Sequence, residues 1–225
     1  MSLFALSDLH LSLSNPSKSM GVFGSLWKDY EEKIKSNWNR IVADDDLVII
    51  AGDVSWSTYL RDSLCDFRFI ENLRGTKLIC KGNHDYWWST LKKHRKFFDD
   101  NNIKSIDFIH NNSFVFEGVG IFGSRGYISF EMCETDEDKK IYERELQRLE
   151  NSYKTLPAEV EKKAAVLHYP PDENFRRLLA ELGADICIFG HIHDRTYSFA
   201  RFGDNIQYYL TSCDYLDFSP LKISL

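Results

Sequence analysis

Five short stretches of the sequence carry side chains able to hold divalent metal ions. They are Asp8-Leu9-His10, Gly52-Asp53, Gly82-Asn83-His84-Asp85, the isolated His168, and Gly190-His191-Ile192-His193. Five of the seven histidines fall in these stretches, and the other two, His94 and His110, read as structural. Imidazole nitrogen, carboxylate oxygen and amide oxygen without thiolate make a mixed donor set. Such a set suits manganese, iron, cobalt, nickel or zinc rather than an iron–sulfur cluster. In Asp8-x-His10 and His191-x-His193 the paired residues are two apart, so on extended backbone they project to the same side and can grip one ion or straddle two. Ions held this way act as Lewis acids and make water acidic, which is the chemistry of metal-dependent hydrolysis. The sequence has no H-E-x-x-H and no H-x-H-x-D-H motif, so other metal hydrolase classes fit it less well.

Residues so far apart in the chain need a scaffold that brings them to one edge. Each stretch follows a short apolar run: residues 3–6, 47–51, 78–80, 164–167 and 186–189. Runs of this length, rich in branched and aromatic residues, read as buried strands. Between them lie helical patterns. Residues 30–42 carry Ile34, Trp38 and Ile41 at helical spacing, and residues 173–182 carry Phe175, Leu178, Leu179 and Leu182 before Gly183. Residues 135–153 open with Thr135, Asp136 and Glu137 and continue with a stripe of Tyr142, Leu146, Leu149 and Tyr153, a packing face. Alternating strands and helices predict an α/β protein. The polar stretches then sit at the carboxyl ends of strands, where such sheets bind ligands. Gly52, Gly82 and Gly190 let the chain turn sharply off those strands. Residues 113–116 and 119–122 predict a hairpin through Glu117-Gly118, and residues 206–210 a further strand, so the second half is expected to contain antiparallel pairs. Residues 11–20, rich in serine, predict an exposed loop. Nothing resembling a linker divides the chain, and residues 1–225 are expected to form a single domain.

The bulk numbers narrow the partners. A net charge of −6 gives no basic footprint for general nucleic-acid binding, although bound cations would add positive charge to the site. The five cysteines, Cys65, Cys80, Cys133, Cys187 and Cys213, are odd in number, widely spaced and without a C-x-x-C pair, and read as reduced thiols. The first residues reach Asp8 without a basic region or long apolar run, so neither a signal peptide nor a membrane span is expected and the location is expected to be cytoplasmic.

The order D-x-H, G-D, G-N-H-D, H, G-H-x-H, running from Asp8 to His193, resembles the calcineurin-like metallophosphoesterase family. The resemblance implies a four-layer αββα sandwich, with two mixed β-sheets packed face to face and flanked by helices. It implies two divalent metal ions, with Asp8, His10 and His193 on one, Asn83, His168 and His191 on the other, and Asp53 bridging both. The activity implied is hydrolysis of a phosphomonoester or phosphodiester by metal-bound hydroxide, with a small phosphorylated substrate. His84 would face the substrate, stabilising phosphoryl oxygens or protonating the leaving group, with an acid to orient it.

His84 and the adjacent Asp85 are thus the candidate catalytic residues. Asp85 is expected to place the loop or His84, or else to serve as a turn or cap residue. Arg125, in Gly123-Ser124-Arg125-Gly126, is a candidate bidentate contact to a substrate phosphate, the alternative being an ordinary surface arginine. Tyr86, with Trp87 and Trp88, is a candidate wall for a base or ring, the alternative being core packing of a following helix. Competing readings are a non-catalytic scaffold or binding protein of the same fold, and a nuclease or protein phosphatase of the same chemistry. A nuclease would want a basic groove, and the acidic balance argues against it.

Overall fold

The computed structural model describes residues 1–198 and 202–225. In chain order its elements are β1 (Leu3–Ala5), α1 (Tyr30–Ile41), β2 (Leu47–Ile50), α2 (Leu64–Glu71), β3 (Thr76–Cys80), α3 (Leu91–Asn101), β4 (Ile106–Ile109), β5 (Phe114–Phe116), β6 (Val119–Gly123), α4 (Asp136–Lys154), β7 (Lys162–Val166), α5 (Glu173–Glu181), β8 (Ile186–Phe189), β9 (Gln207–Leu210) and β10 (Leu221–Lys222). Among the described residues the strands form two sheets, ordered β10-β1-β2-β3-β4 and β5-β6-β7-β8-β9. Strands β1 to β4 run parallel, as do β6 to β9, and each sheet is closed at one edge by an antiparallel strand, β10 or β5.

Alternation along the strands builds the layers. Leu3, Ala5, Leu47, Ile49, Leu78 and Cys80 of the first sheet meet Ile121, Ala164, Val166, Ile186 and Ile188 of the second in one buried seam. The residues between them face outward. Phe4, Val48, Ile50 and Ile79 pack under α1, α2 and α3 through Ile34, Trp38, Phe67, Ile70 and Phe98. On the other side Phe122, Ala165, Cys187 and Phe189 pack under α4 and α5 through Tyr142, Leu149, Phe175 and Leu179. A period of two that is apolar on both faces is what strands covered on both sides require. The result is the expected αββα sandwich. Thr135 caps α4 as its first residues suggest, accepting from the Asp138 N–H while Asp138 accepts from the Thr135 N–H.

Two expectations need correction. Strand β9 runs parallel to β8, so antiparallel pairing in the second sheet is confined to the β5–β6 hairpin. Residues 11–20 are only partly an exposed loop: Leu11, Ser12 and Met20 are buried, and short 3-10 turns span Pro16–Lys18, Met20–Phe23 and Ser25–Trp27. The apolar Leu11, Met20 and Trp27 pull this segment onto the core beneath α1.

Candidate metal centre

Because β1, β2 and β3 are parallel in one sheet and β7 and β8 in the other, the carboxyl ends of all five reach the same edge of the sandwich. Asp8 and His10 follow β1, Asp53 follows β2, Asn83 and His84 follow β3, His168 follows β7, and His191 and His193 follow β8. The backbone there is contorted. Asp8, His10, Asp53 and His191 all have positive φ, at 55°, 45°, 53° and 69°. Left-handed backbone is costly for residues with a Cβ and is typical of functional sites.

The donor atoms converge. Asp8, His10 and His193 offer ligand atoms within 4.8 Å of one another, and so do Asp8, Asp53 and His168. The Asp53 carboxylate lies between histidines of both sheets, 3.8 Å from His10 Nε2 and 3.5 Å from His168 Nε2. Asp8 therefore belongs to both triads rather than to one. His191 stands outside both. Its backbone N–H donates to the two Asp8 oxygens at 3.1 and 3.0 Å, and its Nδ1 lies 3.0 Å from Asn83 Oδ1.

Hydrogen bonding outside the triads fixes which nitrogen faces inward. His168 Nδ1 is 2.9 Å from the Ala51 carbonyl oxygen, an acceptor, so Nδ1 carries the proton. Burial holds His168 neutral, with its pKa lowered to about 3. The Nε2 lone pair therefore points at Asn83 Oδ1, 2.6 Å away, and towards Asp53 Oδ2. Three acceptors facing one another without a proton to share are a cluster that calls for a cation. His193 is arranged likewise: Nδ1 donates to Asp214 Oδ1 at 2.9 Å, leaving Nε2 turned towards Asp8. Burial alone would lower the His193 pKa, but the hydrogen bond to Asp214 and the charge of Asp8 raise it overall. The carboxylates tell the same story. Burial, then the nearby Asp53, pushes Asp8 well above the usual range, and burial pushes Asp53 up to about 6. Two buried acids whose charged forms burial opposes, surrounded by histidines held neutral (His10 lowered, His191 lowered to about 3), are an electron-rich pocket in which a divalent ion would stabilise the carboxylates. The residues present fit a metal.

A match to the model of the calcineurin-like phosphoesterase family spans residues 1–195. The chain belongs to that family. No curated protein matches it at a significant level. Several solved structures share its fold over nearly the full length of both chains. A protein of unknown function from Aquifex aeolicus is 17% identical, with 98% of this chain and 95% of that one covered and a TM-score of 0.56. Phosphopantetheinyl hydrolase from Mycobacterium tuberculosis is 12% identical, with 99% and 95% covered and a TM-score of 0.58. A Thermus thermophilus protein is 14% identical, with 99% and 97% covered and a TM-score of 0.57. At such identities the likeness concerns the fold alone. Membership in the calcineurin-like phosphoesterases implies divalent metal cofactors and metal-dependent phosphoester hydrolysis.

The remaining candidate residues of this phosphoesterase divide. The His84 N–H donates to Asp53 Oδ1 at 2.8 Å, and its ring lines the cleft with His10 and His193. Its Nδ1 is buried with no hydrogen-bond partner among the described residues, and none of these supplies the expected orienting acid. Asp85 does not fill that role. It is 1% exposed, and its carboxylate accepts from the backbone N–H groups of Asp53, Val54, Ser55 and Gly82 and from Trp87 Nε1. Burial and Asp53 push its pKa up, yet five N–H donors leave no acceptor for a carboxyl proton, so the geometry accommodates the anion. Asp85 ties the Asp53 loop to the Gly82 loop and touches nothing in the cleft. Arg125 is turned away as well, its guanidinium 3.9 Å from Glu145 of α4 and over the Tyr127 ring. Its carbonyl accepts from the His168 and Tyr169 N–H groups, so its backbone supports the site while its side chain does not reach the cleft. The aromatic run splits. Tyr86 is 60% exposed and edge-on to His84 at 6.1 Å, whereas Trp87 is buried against Phe67.

Three neighbours escape the sequence reading. Trp56 stacks on His10 at 5.0 Å, Asp214 holds His193, and Ser212 Oγ donates to Asp8 Oδ2 at 2.9 Å. Ser212 and Asp214 follow β9 and carry the same signal as the other stretches, polar residues directly after an apolar run. Trp56 carries no such signal, because an isolated tryptophan after Asp53 reads equally as core.

Proposed function

We propose that residues 1–225 act as one phosphoesterase domain with a dinuclear centre, hydrolysing a phosphomonoester or phosphodiester of a small molecule. Asp8, His10 and His193 would hold one ion, and Asn83, His168 and His191 the other, with Asp53 shared. The observation that carries this reading is the fixed tautomer of His168, which aims a lone pair at Asn83 and Asp53. Divalent ions held there supply Lewis acidity towards phosphoryl oxygens and acidify water. Asp8, through the Ser212 hydroxyl and the His191 N–H, and Asp53, through the His84 N–H, are each held by hydrogen bonds that fix the carboxylates before substrate arrives. His84 faces the cleft where it can donate to a phosphoryl or leaving-group oxygen. The solved phosphopantetheinyl hydrolase of the same fold is in keeping with this chemistry.

Five unpaired thiols support a reducing, cytoplasmic setting. No helix among the described residues is long and apolar enough to cross a membrane.

The test pairs elemental analysis with turnover. Wild-type protein supplied with manganese should bind two ions and release product from 4-nitrophenyl phosphate, bis-4-nitrophenyl phosphate or a nucleotide panel. Asp53→Asn should lose at least about a hundredfold in activity, because the ligand shared by both ions is weakened, with little change in the circular dichroism spectrum. Protein that holds no stoichiometric metal and turns over none of these esters would return the chain to the scaffold reading.

A further inference from the structure

Beside the ligand cluster the site opens into a cleft of about 550 Å³, a size that accommodates a small organic molecule. Its floor is polar and includes His84 and His193, and its walls are apolar: Phe23, Leu26, Trp27 and Trp56. The walls are built rather than incidental. The Trp56 ring lies on His10 and 4.6 Å from His84. Its indole N–H donates to Met20 Sδ at 3.3 Å, and its carbonyl accepts from Lys18 Nζ at 3.1 Å. Trp27 meets His10 and His193 at 6.2 and 6.1 Å. Phe23 and Leu26 remain 68% and 36% exposed at the rim.

This juxtaposition deepens the phosphoesterase reading and rests on it. A phosphoryl group on the polar floor leaves the esterified alcohol lying along the apolar walls. A second phosphate or another strongly hydrated group there would exchange water for indole and phenyl faces, which is costly. An alkyl or aryl body would gain from the same contact. We propose that the substrate is a phosphate ester whose organic portion is apolar, and that the segment carrying Phe23, Leu26 and Trp27 selects it.

The experiment measures phosphate release by the manganese-supplied protein from ethyl, butyl, hexyl and octyl phosphate. Their alcohols leave with similar ease, so kcat/KM reports how the chain is bound. The expected result is a rise of about fourfold per methylene until the cleft is full, with glycerol phosphate no better than ethyl phosphate. Phenyl and naphthyl phosphate form a second arm that separates a flat aromatic body from a flexible chain. Calorimetry with the non-hydrolysable hexylphosphonate and ethylphosphonate gives a readout without turnover. The hexyl compound should bind at least tenfold more tightly, with a more negative heat-capacity change. Phe23→Ala should cut the hexyl-to-ethyl ratio at least threefold, while Val22→Ala, 80% exposed and outside the lining, should leave the ratio where it was. A flat alkyl series, a preference for glycerol phosphate, or a ratio insensitive to Phe23→Ala would overturn the proposal. Phosphonates ranked by chain length without hydrolysis of any ester would retain the apolar cleft and remove the hydrolase. Equal hydrolysis of all esters would do the reverse.

Discussion

Replacing Gly82 by alanine tests whether Asp53 is held in place by close backbone approach. A Cβ on Gly82 would overlap Asp53 Oδ1 and the Asp53 backbone nitrogen and would lie 2.8 Å from Asp53 Cγ. Carbon atoms in contact sit about 3.5–4.0 Å apart, so the carboxylate and the Asp53 backbone must retreat together by about 1 Å. It has little room, since its own N–H is fixed to Asp85 and its Oδ1 to the His84 N–H. A displacement of about 1 Å in a catalytic group can cost about a hundredfold in rate. The fold should tolerate it: overpacking costs about 1–3 kcal/mol against a total stability of about 5–15 kcal/mol. Gly82→Ala should therefore lose at least about a hundredfold in kcat/KM and about tenfold or more in manganese affinity by calorimetry. Its thermal midpoint should fall by only about 2–12 °C. Gly21→Ala is the control, because a Cβ there meets only the Ser19 hydroxyl at 3.6 Å. A Gly82→Ala protein that binds and turns over like the wild type would show that the position of Asp53 is not what the site depends on.

Asp85→Asn should cost about 3 kcal/mol or more in urea unfolding, because its amide group must face at least two of the five N–H donors whichever way it turns. Asp214→Asn should weaken manganese binding about 10- to 100-fold, read by calorimetry, since His193 loses the charged acceptor that orients it. His94 supplies a pH test away from the centre. Its Nε2 accepts from the Ser89 N–H, so the folded protein needs it neutral, and burial lowers its pKa from 6.5 to about 4. A lowered histidine pKa means that stability present above about pH 6.5 is lost as pH falls towards 4, about 2 kcal/mol of it between pH 7 and pH 5. Urea titrations of wild type and His94→Leu at both pH values should narrow by that amount at pH 5, and a gap independent of pH would refute the assignment.

The sequence was readable where two signals coincided. Asp8, Asp53, Asn83, His168 and His191 each follow an apolar run, and parallel strands carry all of them to one edge. What periodicity does not encode stayed hidden. Strand direction is one such property, and β9 joins β8 in parallel. Short or charge-interrupted elements are another. Strand β4 contains Asp107, β10 has two residues, and the helices α2 and α3 hold only a few buried side chains each. The role of Asp85 could not be read because Asp after Gly-Asn-His suits a cap, an orienting acid or a loop anchor equally. Only the N–H groups around it decide for the anchor. Arg125 looked available for phosphate because Glu145, its partner, lies in a different element.

The hydrogen bond from Ser212 to Asp8 joins residues 204 positions apart. A nascent polypeptide leaving the ribosome exposes Asp8 early but must grow by 204 more residues before that hydroxyl exists. Closing so long a loop also carries an entropic toll and makes late assembly slow. The last hydrogen bond that steadies the Asp8 carboxylate is thus formed late, by a residue made after every histidine of the site.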